Sequence, residues 1–153
     1  MSKIEDRLAE LGLVLPEVAK PVAAYVPALV SGNLVFTSGQ LPSTAGVLPA
    51  TGKVGAEVSA EDAKAYARIS ALNGLAAAAS VIGSLDRVTR VVKVVGFVAS
   101  DPSFTGQSGV INGASEFLGE VFGEAGAHAR SAVGVAVLPL DSPVEVELVL
   151  EFA

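Results

Sequence analysis

The sequence predicts an α+β protein in which a mixed β-sheet carries two helices on one face. Two helical segments are separated by a single β-branched run, and strand-like segments flank them in the order β-β-α-β-α-β-β. The last segment alternates: Val144, Val146, Leu148, Leu150 and Phe152 share one side, while Glu145, Glu147 and Glu151 share the other with Val149. The apolar side is the one expected to meet the helices. Alanine, valine and glycine dominate the composition, which suits close contact between helix and sheet.

Taken in order, Ser2-x-x-Glu5 forms a capping box, and Ile4, Leu8 and Leu11 repeat at helical spacing until Gly12. This predicts a short N-terminal helix within residues 1–14. Tyr25 to Val30 and Leu34 to Thr37 flank Ser31-Gly32-Asn33 and read as a β-hairpin. The stretch from Ser43 to Gly55, rich in Gly, Pro, Ser and Thr, reads as a surface loop. Ser59 and Asp62 open a long helix, with Ala63, Ala67, Ala71, Leu75 and Ala79 in one row, that runs to Ile82 and stops at Gly83. Val88 to Ala99 is a β-branched strand, and Val110 to Phe122 places Val110, Ala114, Phe117, Leu118 and Val121 on one helical face. Ser131 to Leu138 and Val144 to Phe152 complete the strands, separated by Pro139 to Pro143. Both faces of Ser131 to Leu138 are uncharged, so this strand is expected to be covered twice, most economically by self-association.

With 153 residues, 51% of them hydrophobic, one domain spanning 1–153 is expected. The chain has no cysteine, so disulfides, thiolate metal sites and thiol nucleophiles do not arise. Five charges in the first ten residues argue against a signal peptide, and no apolar stretch is expected to reach the roughly 20 residues of a membrane span. The expected setting is the cytoplasm, with no membrane partner. A net charge of −6, thinly spread basic residues and the absence of tryptophan give no platform for nucleic acid. Metal-ligand clusters, phosphate loops and a G-x-G-x-x-G fingerprint are missing from the sequence, so no cofactor is implied.

Three stretches carry a resemblance. Asn33-Leu-Val-Phe-Thr-Ser-Gly-Gln-Leu-Pro42 resembles the second-strand signature of the RidA/YjgF family. Ala129-Arg130-Ser131 with Leu138-Pro139 and Val144-Glu-Val-Glu147 resembles its C-terminal signature, with fifteen residues from Arg130 to Glu145. Val110-Ile-Asn112-Gly resembles the start of its second helix, and Tyr25 stands where the family often has a tyrosine. The resemblance implies a chorismate-mutase-like fold and a homotrimer around a central β-barrel. It also implies hydrolysis of reactive enamine or imine acids to keto acids and ammonia at inter-subunit clefts. Older naming calls some members endoribonuclease L-PSP, a reading the acidic charge does not support. Ala132 stands where many members carry cysteine and His128 where a proline is usual, which marks a longer, divergent branch.

Arg130 is the expected substrate anchor, because its permanently charged fork matches a carboxylate in two parallel hydrogen bonds. The alternative is a structural salt bridge with a strand glutamate. Glu145 is the candidate catalytic residue, a carboxylate that orients and deprotonates water; the alternative is a solvated row with Glu147 and Glu151. Ser38 and Gly39 would supply a hydroxyl and a backbone N–H to the ligand, and Tyr25 and Asn112 join by family position. Asn112 is otherwise a cap or turn residue, and His128 an interface loop histidine. Were the last two strands hairpin partners, Glu145 would face about Val137, roughly 23 Å from Arg130. Either these strands are not neighbours or the two residues meet across a subunit boundary, and the resemblance favours the second. A non-catalytic trimeric module for small carboxylate metabolites stays open as the alternative function.

Overall fold

A computed structural model describes residues 2–21 and 23–153. Helices α1 (Lys3–Glu10), α2 (Ala60–Ile82) and α3 (Gln107–Phe122) accompany strands β1 (Ala28–Ser31), β2 (Leu34–Thr37), β3 (Val88–Ala99), β4 (Ala129–Val135) and β5 (Val144–Phe152). The strands form one mixed sheet in the order β1-β2-β5-β3-β4. All pairs are antiparallel except β3 with β4. A parallel pair needs a crossover, and α3 supplies it.

Local chemistry sets most boundaries. Ser2 Oγ accepts the Glu5 N–H at 3.0 Å, and the Asp86 carboxylate accepts the Lys3 and Ile4 N–H groups at 3.0 and 2.8 Å, so two side chains cap α1. Ser59 Oγ accepts the Asp62 N–H at 3.1 Å to open α2, and Gly83, at φ 90°, ends it. The hairpin turn has only two residues, Gly32 and Asn33, between the paired Ser31 and Leu34. Gly32 takes φ 62° and Asn33 does not go positive, the pattern of a type II′ turn.

Four boundaries differ from expectation, one of them the start of β4, which opens two residues early at Ala129. The first strand begins at Ala28, because the chain bends at residues 23–25 and again at Pro27. Helix α3 starts at Gln107, a turn earlier than its apolar face, and β4 ends at Val135 once its partner β3 has run out at Ala99. Contrary to the expectation from composition, α2 has the length and hydropathy of a membrane span. More than half of its apolar window is buried, against the sheet and α3. Its alanines permit that: Ala63, Ala67 and Ala71 are fully buried. A Cβ at Gly113 of α3 would collide with the Lys64 carbonyl of α2, so the two helices touch backbone to backbone.

The core lies between the helices and one face of the sheet, where Val35, Val94, Val98, Val144, Val146, Leu148 and Leu150 are buried. The opposite face keeps apolar side chains in the open. Leu29, Phe36 and Val133 are 51, 39 and 43% exposed, and ladder register sets Val149, Val95 and Phe97 among them. Strand β4 is an edge strand with exposed Ser131, Val133 and Gly134.

Candidate functional site

Arg130 is level with Val94 of β3 and Leu148 of β5, both on the buried face, so its side chain rises on the helix side of the sheet beside α3. Its Nη1 donates to Asn112 Oδ1 at 2.8 Å and to Ser115 Oγ at 3.1 Å, and Nη2 donates to the Ser108 carbonyl at 3.3 Å. Asn112 and Ser115 are three residues apart on α3 and so share a face. Every one of these acceptors is neutral. Among the described residues no carboxylate pairs with Arg130, and Glu116, next to Ser115, is turned to Lys64 at 3.1 Å. A guanidinium has five N–H donors, so Nε–H and one Nη2–H have no acceptor among the described residues.

Ser115 also reaches His128, with Oγ 2.8 Å from Nε2, and His128 Nδ1 lies 2.6 Å from the Gly126 carbonyl. His128 is therefore a member of the Arg130 cluster. Asn112 sits well inside α3 and uses its side chain on Arg130, so it does not cap the helix. Ser115 escaped the sequence reading; its spacing from Asn112 is the signal that points to it.

Glu145 projects from the other face. It is level with Phe97 of β3 and, through it, with Val133 of β4. It is half-buried, and that burial, reinforced by Glu147 two residues along on the same face, raises its carboxyl above the ordinary glutamate value. Strand β2 opens over it. The ladder with β5 stops at Phe36 and Val149; Thr37 Oγ1 then accepts the Leu148 N–H at 3.0 Å, and pairing resumes where Gln40 meets Val146. Ser38 and Gly39 are left in a bulge. The Ser38 hydroxyl donates to the Val26 carbonyl at 2.6 Å and its N–H to the Pro27 carbonyl at 2.8 Å, tying the bulge to the bend that carries Tyr25. The Gly39 N–H has no acceptor among the described residues. A Cβ on Gly39 would lie 2.6 Å from Glu145 Cδ, so only glycine admits the carboxyl in this position. Asn73 of α2 holds the far side of the bulge, donating to the Leu41 and Ser43 carbonyls at 3.0 and 2.8 Å.

The expected site residues thus form two groups. Ser38, Gly39 and Glu145 lie together beside the Tyr25 bend, and Arg130 and Asn112 lie together with Ser115 and His128. Strands β4 and β5 are not neighbours, since β3 runs between them. Arg130 and Glu145 are two strand spacings and three residues apart, on the order of 14 Å between backbones, and point to opposite sides. Ala132, next along the Arg130 side, is partly buried against the core.

This architecture defines an α+β class with one helical layer on a mixed sheet. The chain belongs to the YjgF family: residues 5–152 match the model described as "YjgF/chorismate mutase-like, putative endoribonuclease". It is 45% identical over 150 residues to Protein TCP17 of Trypanosoma cruzi, covering 97% of this chain and 94% of that one. Among solved structures it resembles Atu1372 of Agrobacterium tumefaciens, a protein of unknown function, at 46% identity and TM-score 0.91, covering 98% and 92% of the two chains. It also resembles a structure from Shewanella oneidensis MR-1 described as a "putative endoribonuclease", at 34% identity and TM-score 0.95, covering 99% and 100%. Escherichia coli TdcF, solved with bound serine, is more distant at 26% identity and TM-score 0.63, covering 91% and 94%.

Proposed function

We propose that the chain assembles as a homotrimer and hydrolyses small reactive 2-enamino and 2-imino acids to keto acids and ammonia at clefts between subunits. The observation that carries this reading is the Arg130 guanidinium, held by neutral acceptors with two N–H donors and its full charge left for a carboxylate. On this reading Arg130 and Asn112 of one subunit face Glu145, Ser38, Gly39 and Tyr25 of the next. A second copy is needed because the two groups point to opposite sides of one sheet. The exposed Leu29, Phe36 and Val133 supply an apolar surface for it.

In the reaction, the enamine acid first takes a proton from solvent at carbon to become the iminium. Water oriented by Glu145 then adds to the iminium carbon as Glu145 accepts one of its protons and passes it to nitrogen; the C–N bond breaks to release ammonia while the remaining hydroxyl proton returns to Glu145 and the C=O bond of the keto acid forms. A carboxyl raised by burial is suited to both transfers. The Gly39 N–H is a fixed donor for negative charge in the cleft. Serine, bound by TdcF, carries an α-carboxylate and an α-nitrogen, the same pair of groups as a 2-imino acid.

The test is pyruvate release from 2-aminoacrylate generated in situ; a rate equal to that in buffer sinks the reading. A binding module without turnover is the second reading, favoured by the completeness of the Arg130 group without Glu145. Tight pyruvate binding with no hydrolysis would select it. Endoribonuclease activity has only relatives' descriptions behind it, against a net charge of −6.

A further inference from the structure

We propose that His128, acting through Ser115, is the positioning residue that presets the Arg130 guanidinium; its role in carboxylate binding rests on the reading above. The Gly126 carbonyl can only accept, so the His128 nitrogen 2.6 Å from it, Nδ1, carries a hydrogen. In the neutral ring Nε2 is then bare and can only accept. Ser115 Oγ, 2.8 Å away, has one hydrogen and must donate it there. Its lone pairs are thereby turned to Arg130 Nη1 at 3.1 Å.

The relay runs in one direction, from Arg130 to Ser115 to His128 to Gly126. A helical serine without such a partner can rotate and donate to a carbonyl of the preceding turn, leaving the arginine without its acceptor. His128 removes that freedom. With Asn112 Oδ1 taking the other Nη1 hydrogen at 2.8 Å, the plane of the guanidinium is set before any ligand arrives, and less order has to be imposed on binding. Gly126 is itself buried, at the end of the 3-10 turn Gly123–Gly126, so the relay is anchored on a fixed backbone carbonyl.

Pyruvate is titrated calorimetrically into the wild type, His128→Phe, Ser115→Ala, Ser115→Thr and the His128→Phe/Ser115→Ala double variant. Nitrogen-15 NMR follows the His128 ring and the Arg130 guanidinium without ligand. Each single loss is expected to weaken pyruvate binding about three- to tenfold, and the double variant no further, because both changes cut the same relay. Ser115→Thr, which keeps the hydroxyl, restores binding. Without ligand, rotation of the Arg130 guanidinium is faster in His128→Phe and Ser115→Ala than in the wild type. Additive losses, or guanidinium rotation unchanged in His128→Phe, overturn the proposal. Should His128→Phe fail to fold, the wild-type ring decides: hydrogen on Nδ1 with a bare Nε2 supports the relay, and hydrogen on Nε2 alone overturns it. Absence of pyruvate binding by the wild type removes the carboxylate reading, and guanidinium rotation then decides alone whether His128 positions Arg130.

Discussion

Arg130 and Glu145 rise from opposite faces of one sheet, Arg130 among the polar side chains of α3 and Glu145 under the bulge at Ser38 and Gly39. Strand β3 separates their strands, so no rotamer change brings the two together within a chain. If both act on one ligand, assembly and binding are linked. Replacing Val133, exposed on the Glu145 side and paired with Phe97, with Asp would put a new charge beside Phe97 on the open sheet face. Light scattering should then show monomer, with pyruvate affinity lost in parallel. A monomeric variant that binds pyruvate as tightly as the wild type would assign the ligand to one chain.

Arg130→Lys keeps a positive charge and removes the fork. Loss of charge-assisted hydrogen bonds costs about 1.5–3 kcal/mol, so pyruvate affinity should fall roughly ten- to a hundredfold by calorimetry. The melting temperature should change little, since the native partners of Arg130 are half-exposed and neutral.

Glu145 has a folded-state pKa raised by burial and by Glu147. Between the ordinary glutamate value of 4.5 and that raised value the folded protein binds more protons than the unfolded one, so stability falls as pH rises through this window. Glu145→Gln should therefore be more stable than the wild type at neutral pH, with the gain vanishing below the ordinary value. Denaturant melts at several pH values measure this. Deamination by the wild type should rise with pH through the same window, and Glu145→Gln should show neither the rise nor the rate.

At Gly39, an added methyl meets the end of a flexible side chain and no backbone, since the nearest atoms are Glu145 Cδ, Oε1 and Cγ at 2.6 to 2.9 Å. Gly39→Ala should displace the Glu145 carboxyl with a stability loss of about 1 kcal/mol or less. Deamination should drop at least tenfold while pyruvate affinity is nearly retained. Equal losses in stability and activity would mean that the bulge has collapsed.

Some of this was legible along the chain because its causes are local. The Ser59 cap and Gly83 stop bound α2, and the β-branched run and alternating apolar row delimit β3 and β5, since capping and pleat alternation depend on residues within a turn or two. Arg130 and Glu145 stood out because they fall in the stretch that resembles the family's C-terminal signature and carry a permanently charged fork and a carboxylate. Tertiary structure alone decided the sheet order, the faces on which those two residues point, and the groups around them. The Thr37 hydroxyl that opens the bulge serves a backbone N–H 111 positions away, and the acceptors of Arg130 lie 15 to 22 positions back on another element. No local periodicity encodes such pairs: they form only when packing of the Ala-rich α2 and the crossover through α3 bring distant backbone together.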